Sequence, residues 1–186
     1  MGGRKRVVQE DINIPEAAHE VVGGYPVYAF AEQDHWDLTV HVFGPIVSSP
    51  RPRVTRFGTF MPADYKKHCA KLGASLAYAR GIYETSYGPW KVDSAMWVDL
   101  AFWSPKMTGD LDNLAKTVLD SAQLAKGEPS GAELWVNDRQ VVRLCVDWID
   151  VEDDFDWQTV VRIKQLPRKI AESLPTRRAR TKKTAL

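Results

Sequence analysis

The 186-residue chain reads as a single α+β domain, with a mixed β-sheet of about four to five strands and two main helices in a ββαβαββ-like order. Three features predict it. Runs rich in β-branched and aromatic residues recur between turn signals, as at Leu38 to Phe43 and Gln158 to Gln165. Pro62 to about Ile82 and Asp110 to about Lys126 carry apolar residues at helical spacing. The 44% hydrophobic content, with seven Trp, is ample for one core. The expected organisation is an N-terminal extension over 1–36, one folded domain over 37–166, and a short helix with a basic tail over 167–186.

In chain order, residues 1–33 mix charge, glycine and short apolar pieces without a sustained period, which predicts a poorly ordered extension in which Val27 to Phe30 could form a short strand. Leu38 to Phe43 alternates and stops at Gly44-Pro45, so it is the first clear strand. His41 on its face lacks the neighbours of a metal set and reads as structural. Ser48 to Phe57 alternates proline with Arg51, Arg53 and Arg56, which stiffens the backbone and turns the arginines outward. Pro62 suits a first helical turn, and Tyr65, Cys69, Leu72, Leu76 and Ala79 follow as its buried stripe. Gly81, Gly88 and Pro89 end that region. Lys91 to Trp103 is a long apolar strand expected at the sheet centre with both faces buried. The second helix buries Leu111, Leu114, Val118, Ala122 and Ala125. Two closing strands, about Gln140 to Val151 and Gln158 to Gln165, are joined by an acidic turn.

Charge and cysteine usage exclude several classes. The formal net charge is +1, so no global field attracts nucleic acid, but basic residues concentrate at Arg4 to Arg6, Arg51 to Arg56 and Arg177 to Lys183. Cys69 and Cys145 form neither a disulfide framework nor a zinc spacing, which fits a reducing cytoplasm. No apolar run approaches a membrane span or a signal peptide, so no membrane partner is expected.

Chemistry concentrates in Gly109-Asp110-Leu111-Asp112-Asn113-Leu114-Ala115-Lys116. Asp110 suits an N-cap, and Asp112 and Asn113 suit the first turn of a helix. Capping alone is a weak reason for two carboxylates. Ionised oxygens about 4 Å apart repel by roughly 4 kcal/mol at an effective dielectric of 20, whereas the helix dipole returns about 0.3 to 1 kcal/mol each. A cation would satisfy such a pair better. Lys116 lies one turn on from Asp112, where a surface ladder with Asp120 is the plainer role.

About twenty residues further on stands Asn137-Asp138-x-Gln140-Val141. Read together with Asp110-x-Asp112-Asn113-x-x-Lys116 and the upstream Arg51-Pro52-Arg53 loop, it resembles the RusA family of Holliday junction resolvases, metal-dependent endodeoxyribonucleases common in phages and prophages. The resemblance spans roughly Leu38 to Gln165. It implies metal ligands at Asp110, Asp112 and Asp138 and a catalytic lysine at Lys116. It also implies an intertwined homodimer acting on four-way junctions in a bacterial host cytoplasm, since two symmetric cuts suit a two-fold assembly. Many members have two adjacent acids where this chain has Asn137-Asp138, so Asn137, like Asn113, is at most an accessory residue.

Elementary chemistry is consistent with this. A carboxylate at an extended cap position can converge with one two residues later, and Asp112 and Lys116 share a helix face. All-oxygen ligands favour Mg²⁺ or Mn²⁺ over zinc. Arg51, Arg53, Arg56 and Lys116 would contact DNA phosphates without reading bases. The alternatives are a less selective branched-DNA nuclease and a catalytically inactive DNA-binding protein of the same fold. An Asp-x-Asp glycosyltransferase or phosphatase is disfavoured, because no glycine-rich nucleotide loop is present and Pro105 to Gly109 separates the acids from the preceding strand.

Overall fold

The computed structural model describes residues 20–22, 25–30, 35–50, 53–55, 58–107, 109–123, 132–152 and 157–167. Three strands open the fold as an antiparallel meander: β1 (Glu20–Val22), β2 (Tyr25–Phe30) and β3 (Leu38–Phe43). The alternation in β3 sends Leu38, Val40 and Val42 into the core. A small separate ladder, β4 (Arg53–Thr55) with β5 (Gly58–Phe60), leads into α1 (Ala63–Tyr87). Then come β6 (Ala95–Trp103), α2 (Leu111–Ala122), a 3-10 turn at Asp138–Gln140, β7 (Val141–Ile149) and β8 (Gln158–Leu166).

The sheet runs β1-β2-β3-β8-β6-β7, and every pairing is antiparallel except β6 with β7. A parallel pair cannot be joined by a tight turn, so the chain between β6 and β7 crosses over through α2. One sheet face packs on both helices. Met96, Val98, Leu100 and Phe102 meet Leu72 and Leu76 of α1 and Leu114 and Val118 of α2 in a single cluster.

The α+β class and the two helices are as expected, but the sheet has six strands rather than four to five. The additional strands come from residues 20–30, within the segment read as an extension. The two closing strands are not neighbours either, because β6 lies between β7 and β8. β6 is internal to the sheet, yet only one of its faces is deeply buried. The other carries Trp97, Asp99 and Trp103, where Asp99 pairs with Arg162 of β8 at 3.1 Å and the Arg143 guanidinium lies 4.0 Å over the Trp97 ring. α1 continues past Gly81, where φ is not left-handed, and stops at Gly88, whose φ of 90° breaks the helix while its N–H donates to Glu84 O at 3.2 Å. α2 ends at Ala122 because Gln123 turns extended and bridges Trp135. The predicted C-terminal helix lies outside the described residues.

Candidate active site

Asp110 occupies the N-cap position of α2 in an extended conformation, φ −73° and ψ 142°. Its backbone carbonyl starts the helix, accepting from the N–H groups of Asn113 at 3.0 Å and Leu114 at 3.1 Å. Its side chain makes no capping bond. The nearest donor is Asn113 Nδ2, at 3.5 Å from Oδ2. Asp112 is exposed and makes no hydrogen bond or ion pair among the described residues. Lys116, one turn on, is exposed and forms no ion pair with Asp112 or Asp120, so the expected surface ladder is not made. Among the described residues Asp112 and Lys116 are therefore unpaired, and the Asp110 carboxylate keeps only its long contact with Asn113.

The chain from Ala132 runs back along α2. Ala132 N–H donates to Ser121 O and Leu134 N–H to Ala122 O, at 3.0 and 2.9 Å, and Gln123 Nε2 donates to Val136 O at 3.1 Å. Trp135 is fully buried beneath this segment, and its indole N–H reaches Asp138 Oδ1 at 3.3 Å. Asn137 and Gln140 form a reciprocal cap around Asp138: Asn137 Oδ1 accepts from Arg139 N–H, and Gln140 Oε1 accepts from Asn137 N–H and Val136 N–H. Gln140 Nε2 then donates to Val92 O at 2.7 Å and Ser94 O at 2.9 Å, pinning the turn to the chain leading into β6. This explains the Asn-x-x-Gln spacing. It is a bracket that holds Asp138.

Asp138 is near enough to Asp120 to raise its pKa. Partial desolvation is the larger cause of that rise, and the Lys116 charge and a hydrogen bond from Tyr65 oppose it. Asp120 is exposed overall, but Oδ2 lies against the Tyr65 hydroxyl at 3.3 Å, which accounts for the desolvation. Tyr65 is otherwise buried, and burial pushes its own pKa up to about 12.

A third segment, residues 45–50, is fastened to both helices beside the same turn. Val47 N–H donates to His68 Nε2 at 3.3 Å, the Thr117 hydroxyl donates to Val47 O at 2.9 Å, and Ser49 N–H donates to Asn113 O at 3.1 Å. Ser48 packs so closely on Gly109 that a Cβ there would lie 2.5 Å from its Oγ.

A sequence profile of the family described as Endodeoxyribonuclease RusA matches residues 44–164. The chain belongs to the RusA endodeoxyribonuclease family. RusA enzymes are hydrolases that cut DNA internally, and the Holliday junction is the family's substrate. No curated protein matches the chain. The RusA match takes in the 45–50 segment, both helices and the Asp138 turn, which are the parts converging here.

Within this RusA framework the predicted residues are only partly assembled. Asp110, Asp112, Asn113 and Lys116 share the start of α2, and Asp138 stands by Asp120. Among the described residues, however, no three His, Cys, Asp or Glu side chains are close enough to hold a metal ion. Arg51 and Arg56 lie outside the described residues; Arg53 opens β4, but its side chain is outside them as well. Sequence reasoning gave no role to Gln140, took Tyr65 for core and took Asp120 for a surface ladder. The first was detectable as a capping-box glutamine three residues after an Asn cap. The other two depend on a contact between residues 55 positions apart, which no local pattern encodes.

Proposed function

We propose that this chain resolves four-way DNA junctions by divalent-cation-dependent phosphodiester hydrolysis, acting as a homodimer in the bacterial cytoplasm. The observation that carries this is Asp110, a helix N-cap whose side chain does not cap. Its carboxylate, the unpartnered Asp112 and the bracketed Asp138 supply hard anionic oxygens with free lone pairs, a donor set suited to Mg²⁺ or Mn²⁺. All three side chains are exposed, which leaves them free to turn toward a shared cation. The bound ion would polarise the phosphoryl oxygens and lower the pKa of an attacking water.

The residues divide the remaining work. Lys116 places a positive charge one turn from Asp112, where it meets charge developing on the phosphoryl oxygens. The water oxygen bonds to phosphorus in line with the departing 3′ oxygen, which leaves carrying a proton. Asp120, one turn further along and held by Tyr65, lies within the field of the Lys116 charge without pairing with it. The anchoring of Ser49 to Asn113 O sets the take-off point of the Arg51, Arg53 and Arg56 arm beside the carboxylates, where guanidinium groups would clamp backbone phosphates.

An inactive DNA-binding protein of the same fold would find its support in Asn137, which stands where many family members carry an acid. Use of Asn137 as the cap beside Asp138 gives it a structural role instead, so this alternative loses its support. The test is cleavage of a synthetic four-way junction beside linear duplex and flap substrates. Symmetric nicking should require Mg²⁺ or Mn²⁺ and disappear in Asp112→Asn and Lys116→Ala with binding retained. Cleavage in excess chelator, or full activity of Asp112→Asn, would refute the assignment, and equal cutting of flaps would favour the less selective nuclease.

A further inference from the structure

Trp135 is the largest fully buried side chain among the described residues, and it gives its indole N–H to a carboxylate at the surface. A buried indole normally takes an acceptor. Two others here do: Trp90 Nε1 donates to Leu134 O at 2.8 Å and Trp148 Nε1 to Ser104 Oγ at 3.0 Å. The fold also tolerates the opposite, since the indole N–H groups of Trp97, Trp103 and Trp157 are buried without an acceptor. Asp138 needs no indole, because it is exposed and water would serve both its oxygens. The bond is 3.3 Å, long for N–H···O, but its acceptor is charged and its donor is locked in the core. Its effect falls on Asp138, whose side chain loses freedom that an exposed carboxylate otherwise keeps.

The donor is fixed by α2. Leu134 N–H bonds Ala122 O at 2.9 Å, Gln123 Nε2 bonds Val136 O at 3.1 Å, and Trp135 pairs with Gln123 in an isolated parallel bridge. The ring belongs to the same core cluster as Leu114 and Val118 of that helix. The other end of α2 carries Asp110 and Asp112. One rigid helix thus holds two of the carboxylates directly and the third through an indole. The bracket of Asn137 and Gln140 does a different job, since its bonds go to backbone groups: it sets the turn, whereas Trp135 sets the Asp138 side chain.

We propose that Trp135 is a positioning residue of the cleavage site, holding Oδ1 of Asp138 so that Oδ2 is presented to the divalent cation. This rests on the reading of the chain as a metal-dependent junction nuclease and extends it to a group that touches neither cation nor DNA. A carboxylate held by one oxygen keeps the lone pairs of the other for a hard cation. Losing such an outer partner typically costs about 10- to 100-fold in metal affinity or activity.

The test replaces Trp135 in the full chain by benzothienylalanine, in which sulfur stands where the indole N–H was and the ring volume is kept. The urea midpoint should fall by no more than about 0.5 M, the equivalent of one hydrogen bond. The Mg²⁺ concentration for half-maximal junction nicking should rise about tenfold or more, with metal-free junction binding unchanged. A second measurement needs neither cleavage nor a change at Trp135. The seven Trp each give an indole N–H signal in a proton–nitrogen correlation spectrum, and that of Trp135 is the one missing from the benzothienylalanine variant. It should move in Asp138→Asn, and it should shift when the parent protein is titrated with Mg²⁺ alone, a response that Asp138→Asn removes. An unchanged Mg²⁺ requirement in the isosteric variant, or a Trp135 signal indifferent to Asp138→Asn and to Mg²⁺, overturns the proposal. A parent protein that never cuts, while its Trp135 signal answers Mg²⁺ through Asp138, overturns the nuclease reading alone.

Discussion

Gln140→Ala tests whether the bracket around Asp138 matters. Gln140 accepts from Val136 N–H and Asn137 N–H at 2.9 and 3.0 Å and donates to Val92 O and Ser94 O at 2.7 and 2.9 Å. The two donated bonds are partly buried and should contribute about 1 kcal/mol each, while the two accepted bonds face solvent and should contribute about 0.5 kcal/mol each. The truncation should therefore cost about 3 kcal/mol. At a urea dependence of about 2 kcal/mol per molar, the midpoint should fall by about 1.5 M. Junction cleavage should fall by about a hundredfold or more under conditions where the variant is still folded, because Asp138 loses its placement. Gln140→Glu is the sharper control: it keeps both accepted bonds but turns a carboxylate toward two carbonyls, so it should be no more stable than the alanine. A loss below about 1 kcal/mol with cleavage intact would refute the bracket.

Asp110→Ala should cost well under the roughly 1 kcal/mol typical of a lost N-cap, since its side chain makes no capping bond, while abolishing cleavage; a full capping loss in urea melts would restore the plain helix-start reading. Gly109→Ala drives a methyl into Ser48 and should destabilise by about 1 to 3 kcal/mol, with Ser48→Gly restoring most of it; additive effects of the two changes would count against the contact. Burial, with Lys71 adding to it, holds the His68 pKa below its ordinary 6.5, and its Nε2 must stay unprotonated to accept from Val47 N–H. As pH falls from 6.5 through the lowered value, the unfolded chain takes up the proton first, so stability is lost across that window and is unaffected above it. His68→Gln should remove up to about 1.4 kcal/mol per pH unit of that slope in denaturant titrations, and an unchanged slope would refute the tie.

The part of the proposed site that could be read from sequence is the part that is local. Asp110, Asp112 and Lys116 lie within seven residues, and an extended cap followed by one helical turn disposes them the same way in any fold. The strand at Leu38–Phe43 was equally legible, since its alternation is the pleat of a half-buried strand. The long β6 run misled on burial because Trp, Val and Ala read as apolar whether or not a layer covers them, and here one face is occupied by ion-pair and cation-π contacts instead.

By itself, then, the sequence determined the α+β class, both helices, the strands that begin at Leu38, Ala95, Val141 and Gln158, and the family, because each rests on periodicity or on motifs a few residues long, whereas β1 and the β4–β5 ladder escaped it. Tertiary structure alone decided that β6 separates β7 from β8, that Tyr65 reaches Asp120, and that Gln140 spans from Asp138 to the approach to β6. It also showed Asp110 starting a helix without using its carboxylate. These are contacts between residues 45 to 71 positions apart, or choices among rotamers of one side chain. The free energy that decides them comes from neighbours brought together only when the chain has folded.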